Sequence, residues 1–398
     1  MKENQQSEET QYQQLGVDAN KESVREAFGK IINNEYPGAF VNIVSDPFDE
    51  SRVMTQHQDG DGSKFIQRIL GYCETGDPTI FRGAVDDALA MNTGDIAASG
   101  FVFGPWLITD VLNLNLTKEA KLVVMEQIAT RFLELKTLYE YYGFKIKFLG
   151  GETADLPDQV RSGVFDLAIT AWADRRDVIA GNVQVNDVIH GLRSDGQAPW
   201  EEKPNSGLMS NGLTLARKYL MRKYYNKQYP YLSRGGDFYQ GRFDFGTHND
   251  DLGMTVGEAL LSPTRQWAII IRHILELFKK AGYLDLVHGI TMNTGGGCTK
   301  IRHLGKGICY RKKMPEPPPI FKLIQQESQV EWKEMFEDFN CGIGLDFITP
   351  NHPVVINILQ QACRDFRLPE PHWLGFCHES SDGENRVILE TDYGTFEY

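Results

Sequence analysis

The sequence predicts two mixed domains, built of helices and strands in the α/β and α+β classes. Three observations lead there. The chain has 398 residues, more than one ordinary hydrophobic core organises. Stretches with helical spacing of apolar residues alternate with stretches of strand-like alternation in both halves. Between the halves, Gly181-Asn182-Val183-Gln184-Val185-Asn186 breaks two strand-like runs apart. The expected organisation is a mobile tail at 1–15, an N-terminal domain at 16–181 and a C-terminal domain at 182–398.

The tail is polar and rich in Gln and Glu. Residues 21–32 read as a short helix, with Val24, Ala27, Phe28 and Ile31 on one face and Ser23 and Glu26 spaced as a capping box. Residues 59–64 read as a glycine- and acid-rich turn. Residues 119–142 read as a long helix, because Leu122, Met125, Ile128, Phe132, Leu135 and Tyr139 recur at helical spacing and Gly143 stops it. Residues 144–149 alternate as a strand that runs out into a loop at Gly150-Gly151-Glu152-Thr153-Ala154-Asp155, and 165–173 form another strand. In the second half, 184–193 is the first strand and 196–209 a loop with Pro199, Pro204 and Gly207. Residues 211–224 and 264–281 read as helices, the latter with Thr264 as N-cap after Pro263. Residues 311–319 form an extended basic and proline-rich connector. A strand at 342–348, an amphipathic helix at 353–366 and a last strand at 385–390 complete the reading.

Composition narrows the function. The formal charge of −13 disfavours nucleic acid and anionic membranes as general partners. The apolar block at 267–278 is interrupted by Arg272, His273 and Glu276 and is too short to cross a bilayer. The six cysteines show no CxxC pair, so neither a zinc site nor a disulfide framework is indicated, and scattered reduced thiols suit a cytoplasmic protein. No GxGxxG, GxSxG or HExxH motif is present.

Five short motifs carry possible chemistry. Asp59-Gly60-Asp61-Gly62-Ser63-Lys64 pairs flexible glycines, whose amides suit phosphate oxygens, with a lysine and with carboxylates that suit Mg²⁺; an ordinary acidic turn has the same composition. Asp95, in Met91-Asn92-Thr93-Gly94-Asp95, is either a functional or a solvated carboxylate. Glu152 and Asp155 follow a strand, where ligands of α/β folds gather. Ser210-Asn211-Gly212 opens a helix, as an anion seat or a plain cap. Thr294-Gly295-Gly296-Gly297 is an anion nest or a flexible loop.

Their order is more telling than any one of them. Gly16-Val17-Asp18, the 59–64 motif, the segment ending at Asp95, GGETADLP, Ser210-Asn211-Gly212, Ser262-Pro263-Thr264-Arg265, the triglycine and Phe339-Asn340-Cys341-Gly342-Ile343-Gly344 follow one another. The series resembles the phosphoribosylformylglycinamidine cyclo-ligase (AIR synthetase) family over about residues 15–390. The resemblance implies a PurM-like fold: an N-terminal ATP-binding and dimerisation domain forming a dimer-spanning β-barrel, and a C-terminal α+β domain. It implies a homodimer acting on a small nucleotide substrate with ATP and Mg²⁺. ATP would phosphorylate the formyl amide oxygen of formylglycinamidine ribonucleotide, and an internal nitrogen would close the ring with loss of phosphate. Asp59, Gly60, Gly62, Ser63, Lys64 and Glu152 would serve ATP phosphates. Asp59, Asp61, Asp95 and Glu152 would hold Mg²⁺, and Ser210, Asn211, Gly212, Gly295, Gly296 and Gly297 would line the substrate. Asp95, Lys64 and His288 would be catalytic.

Several positions depart from the family pattern. Asp61 stands for the usual Val, Gly94 for Asn, Met209 and Met292 for His, and Thr299-Lys300 for Glu-Asn. The methionines transfer no protons, so His248 or His288 would have to replace the family histidines, or the protein does without. The departures keep open an alternative, another PurM-like ATP-dependent kinase or synthetase.

Overall fold

A computed structural model describes residues 10–16 and 27–398. The first half supplies α1 (Gln11–Gln14), β1 (Val44–Asp46), β2 (Asp49–Gly60), α2 (Lys64–Thr75), α3 (Arg82–Ala98), β3 (Pro105–Leu114), α4 (Lys118–Tyr141), β4 (Lys145–Asp155) and β5 (Gly163–Asp174). The strands form one open sheet in the order β1-β2-β5-β3-β4. β3 and β4 are parallel, which requires a crossover, and α4 provides it. One face of the sheet is covered by helices. In β5 the residues Phe165, Leu167, Ile169 and Ala171 are buried there, whereas Val164 on the other face is exposed.

The second sheet has seven strands: β6 (Val188–Arg193), β9 (Gly289–Met292), β10 (Ile308–Lys313), β11 (Ile343–Thr349), β12 (His372–Glu379), β13 (Arg386–Thr391) and β14 (Gly394–Glu397), ordered β14-β13-β10-β12-β6-β11-β9. A two-stranded ribbon, β7 (His248–Asn249) and β8 (Met254–Thr255), stands apart. The helices that bear on the site are α5 (Leu213–Leu220), α6 (Tyr225–Gln228), α7 (Val256–Leu261), α8 (Trp267–Ala281), α9 (Pro319–Ser328) and α10 (Trp332–Asp338). Among the described residues no helix is long and apolar enough to cross a membrane.

α3 is the axis of the molecule. Every residue from Ala84 to Ala98 is buried, because the helix touches β2 and β5 of the first sheet on one side and α8 and β9 of the second half on the other. Such a helix needs no amphipathic stripe. Its polar residues Asp86, Asp87, Asn92 and Asp95 must then find partners inside the protein.

The structure corrects several expectations. The GGETAD segment is not a loop: it stays paired with β3 as far as Asp155, and a bulge beside Gly150, at φ +87°, lets the edge strand continue. The strand expected from 184 begins at Val188, because Gln184 and Asp187 close a turn in which the Gln184 amide donates to Asp187 at 2.7 Å. The helix expected at 211–224 stops at Leu220, where Met221 and Arg222 bridge to Phe243 and Gly241. Thr264 is not an N-cap; its backbone N–H and its hydroxyl both donate to Asp87, and α8 starts at Trp267. Arg311 lies inside β10, Pro319 opens α9, and β14 follows the strand expected to be last.

At the N-terminus, residues 10–15 are tied down rather than loose. Thr10 and Gln13 form a capping box, and the Tyr12 amide donates to Glu334 at 2.9 Å. Residues 1–9 lie outside the described residues, as do 21–26 of the expected 21–32 helix with its capping box. Phe28 and Ile31, expected on a packed face, are 53% and 73% exposed.

Candidate phosphate and nucleotide site

Three separated motifs meet on one carboxylate that none of them contains. Asp87 of α3 is fully buried. Its Oδ1 accepts from Lys64 Nζ at 2.9 Å, Ser210 Oγ at 3.0 Å, the Thr264 amide at 2.7 Å and the Thr264 hydroxyl at 2.7 Å, and Arg68 pairs with its Oδ2. Burial works to raise its pKa, but Lys64, Arg68 and Thr264 outweigh burial and hold the carboxyl below its ordinary value. Lys64 also donates to the Ser262 carbonyl at 2.6 Å and has no exposed surface. The lysine read as a phosphate cation therefore faces the interior. Asp61 is equally buried: Arg68 Nε stands 3.4 Å from it, its Oδ1 has no hydrogen-bond partner, and burial pushes its pKa well up. Ser63 is tied to Thr214, hydroxyl to hydroxyl, at 2.7 Å.

Further towards the C-terminal end of α3, a second cluster forms. β2 places His57 and Asp59 on the face turned towards α3. His57 Nδ1 is 3.0 Å from Asn92 Oδ1 and its Nε2 is 3.4 Å from Asp95 Oδ2. Asn92 Nδ2 donates to the Asp59 carbonyl at 2.8 Å. From the second half, Lys300 reaches Asp95 Oδ2 at 3.2 Å, also bonds Thr294 Oγ1, and stands 4.6 Å above the Phe40 ring. Burial would raise the Asp95 carboxyl, but Lys300 and His57 hold it below its ordinary value. Burial dominates at Asp59 and raises its pKa. Sequence reading missed His57 and Asn92. The signal was there for His57, which lies two residues before Asp59 on a strand and so shares its face.

The Ser210-Asn211-Gly212, triglycine and FNCG motifs pack against one another. A Cβ on Gly212, at φ +72°, would lie 2.0 Å from the Phe339 ring, and one on Gly297, at φ +48°, would lie 2.4 Å from the Phe339 carbonyl. Asn211 Nδ2 is buried with no partner, and a Cβ on Gly295 would sit 3.5 Å from Asn211 Oδ1. Gly295 itself is exposed and Gly296 partly so.

Two predicted site residues are not brought together with Asp95. Glu152 is exposed on the other face of the first sheet; it shares a transverse row with Val111, Asp166 and Gly60, three strand spacings or about 14 Å from Gly60. His288 pairs with Asp187 at 2.7 Å and precedes β9, whose far end carries Met292; four extended residues put them about 13 Å apart. His248 is exposed in the two-stranded ribbon. The set Asp59, Asp61, Asp95 and Glu152 therefore does not fit one Mg²⁺ shell within a chain. Among the described residues no group of three His, Cys, Asp or Glu side chains is placed to hold a metal.

A cavity of about 450 Å³ opens between α4, β3 and β4, lined by apolar side chains such as Leu89, Ile108, Phe132 and Phe148 together with Asp110, Thr153 and the Gly150–Gly151 backbone. A Cβ on Gly151 would lie 2.0 Å from the Asp110 carbonyl, so the close approach at the double glycine is to the neighbouring strand.

No family model matches the chain. A phosphoribosylformylglycinamidine cyclo-ligase of Methanococcus vannielii is 33% identical over 316 residues, covering 76% of this chain and 73% of the relative. The chain belongs to the phosphoribosylformylglycinamidine cyclo-ligase family. A cyclo-ligase of Alkaliphilus metalliredigens is 28% identical over 361 residues, 87% of this chain and 88% of that one, and one of Methanocaldococcus jannaschii is 36% identical over 269 residues, 65% and 62%. Among solved structures, a HypE–HypF complex superposes with a TM-score of 0.54 at 12% identity, covering 94% of this chain and 97% of that one. T. maritima PurL complexed with ADP gives 0.51 at 10% identity, covering 94% and 47%. These likenesses show the PurM-like fold. Two of the departures from the cyclo-ligase pattern, Gly94 and Met292, touch one another, and a third, Lys300, pairs with Asp95.

Proposed function

We propose that the chain closes the imidazole ring of aminoimidazole ribonucleotide in de novo purine biosynthesis, from formylglycinamidine ribonucleotide and ATP, releasing ADP and phosphate. Besides family membership, one observation carries this reading: the 59–64, Ser210 and Thr264 family motifs converge on Asp87, on the same helix as Asp95. An amide oxygen leaves poorly, and transfer of the γ-phosphoryl group makes it leave as phosphate when the internal nitrogen attacks the same carbon. Such a reaction asks the protein mainly for positioning and charge neutralisation.

In this reading Asp59, Asp95 and the turn at Gly62 face the ATP phosphates, and Mg²⁺ accompanies those phosphates, since that ion commonly uses one or two carboxylates plus substrate oxygens. The 450 Å³ cavity seats the adenine, with Asp110 and Thr153 as its polar groups. Asn211, Gly212 and Gly295–Gly297 line the ribonucleotide. His57, not His288 or His248, is the histidine in reach of Asp95 and takes the role of proton carrier. The N-terminal domain, 16–181, pairs with that of a second copy: the uncovered sheet face and edge expose Leu149 and Val164, and closure against a partner sheet would form the dimer-spanning barrel. A cytoplasmic location suits the reaction.

Purified protein incubated with ATP, Mg²⁺ and formylglycinamidine ribonucleotide should yield ADP and aminoimidazole ribonucleotide in equal amounts. No product at high enzyme concentration sinks the reading. ATP turnover on another acceptor without ring closure would favour the kinase or synthetase alternative, which the buried methionines at 209 and 292 keep in view.

A further inference from the structure

We infer that Lys300 is a phosphate-binding cation of this site, the role that its position in the sequence would give to Lys64. The inference rests on the ATP-dependent reading above and adds a residue to it. Two carboxylates, Asp59 and Asp95, face the same space, and an anionic ligand approaching them is repelled unless a fixed positive charge stands between. Lys64 cannot supply it, because its ammonium is fully buried on Asp87 and the Ser262 carbonyl. Arg68 is likewise buried against Asp61 and Asp87.

Lys300 is placed differently. Its side chain retains 15% of its surface. Its ammonium is held by Asp95 Oδ2 and Thr294 Oγ1 and lies above the Phe40 ring. It leaves the short helix that begins at Gly297, directly after the exposed and partly exposed Gly295 and Gly296. The second oxygen of Asp95, Oδ1, is buried without a partner. A lysine carries three donors; with two directed at Asp95 and Thr294, the third is available to a phosphoryl oxygen. Asp95 and Thr294 act as positioning residues that aim the ammonium. The ammonium thus places at Asp95 a positive charge that offsets the carboxylates beside an anionic ligand.

The phosphate could be that of ATP or the 5′-phosphate of the ribonucleotide, and calorimetric titration of the full-length protein with each separates them. ADP and formylglycinamidine ribonucleotide serve as probes against wild type, Lys300→Met, Lys300→Arg and the exposed control Lys306→Met. Lys300→Met should weaken one of the two ligands by about 10- to 100-fold, as loss of a charge-assisted hydrogen bond does. Lys300→Arg should restore most of that affinity, and Lys306→Met should match wild type. The ligand that weakens identifies the phosphate. The Lys300→Met deficit should also shrink as Mg²⁺ is raised, a response that a purely structural lysine would not give. Unchanged binding of both ligands by Lys300→Met overturns the inference, and so does an arginine variant as weak as the methionine one. If the variants unfold, reductive methylation of the wild type with mass-spectrometric readout replaces them: the ligand must protect Lys300, and equal labelling with and without either ligand overturns the proposal. Absence of ring closure by wild type would refute the functional reading without altering these binding results.

Discussion

Met292 fills the space over Gly94: a Cβ on Gly94 would lie 2.1 Å from the Met292 sulfur. The two residues come from opposite halves of the chain, one near the C-terminal end of α3 and the other at the end of β9. Both depart from the family pattern, and the missing side chain at 94 makes the room that the larger, apolar one at 292 occupies. The substitutions are one packing event at the seam between the halves.

Gly94→Ala should therefore destabilise the protein by about 1–3 kcal/mol despite alanine's better helix propensity, because overpacking a buried seam exceeds the propensity gain. Met292→Ala in the same background should recover part of the loss. Urea unfolding of the two single variants and the double variant measures the coupling; strictly additive effects would contradict direct packing.

Lys64→Met should act on stability before it acts on ligand binding. It leaves Asp87 buried with Arg68 as its remaining cation, and breaking a buried pair by removing one partner costs about 3–5 kcal/mol. A variant with an unchanged denaturation midpoint and only weakened ATP binding would show that Lys64 faces the ligand after all.

Asp338 near the C-terminus of α10 gives a pH signature. Burial first, then Glu334 and Glu337, push its carboxyl up to about 8 from an ordinary 3.8. Between those values the folded chain keeps a proton that the unfolded chain releases, so its contribution to stability falls as pH rises from about 4 to about 8. Asp338→Asn should remove that downward trend and raise the melting temperature most near pH 8. Parallel melting curves against pH for the two proteins would refute it.

The cavity beside α4 is tested by filling it. Ala129 lines it and is exposed, so Ala129→Trp adds bulk without disturbing the core. ATP binding should weaken by about tenfold or more with an unchanged melting temperature. Full affinity would move the adenine elsewhere.

Local rules read much of this protein from the chain alone. The 24-residue helix at Lys118–Tyr141 lies within one residue of the stretch marked by its apolar spacing and Gly143. The strands at 145 and 163 were visible as alternation, and the family was visible in the order of its motifs. α3 was harder to read because burial on every side erases the periodicity by which helices are recognised. The double glycine at 150–151 read as a loop because glycine favours turns and bulges alike, and pairing with β3 selects the bulge.

Which charged groups face the ligand is a different kind of question. The order of motifs along the chain establishes the family and the glycines and carboxylates available to the site. It does not say which way Lys64 points, since that depends on Asp87, 23 residues away, and on the Ser262 carbonyl, 198 residues away. Nor does it join Lys300 to Asp95 across 205 residues, or exclude His288 by the length of β9. Hydrogen bonds and ion pairs act over a few ångströms, so these partnerships exist only once the two halves have packed around α3.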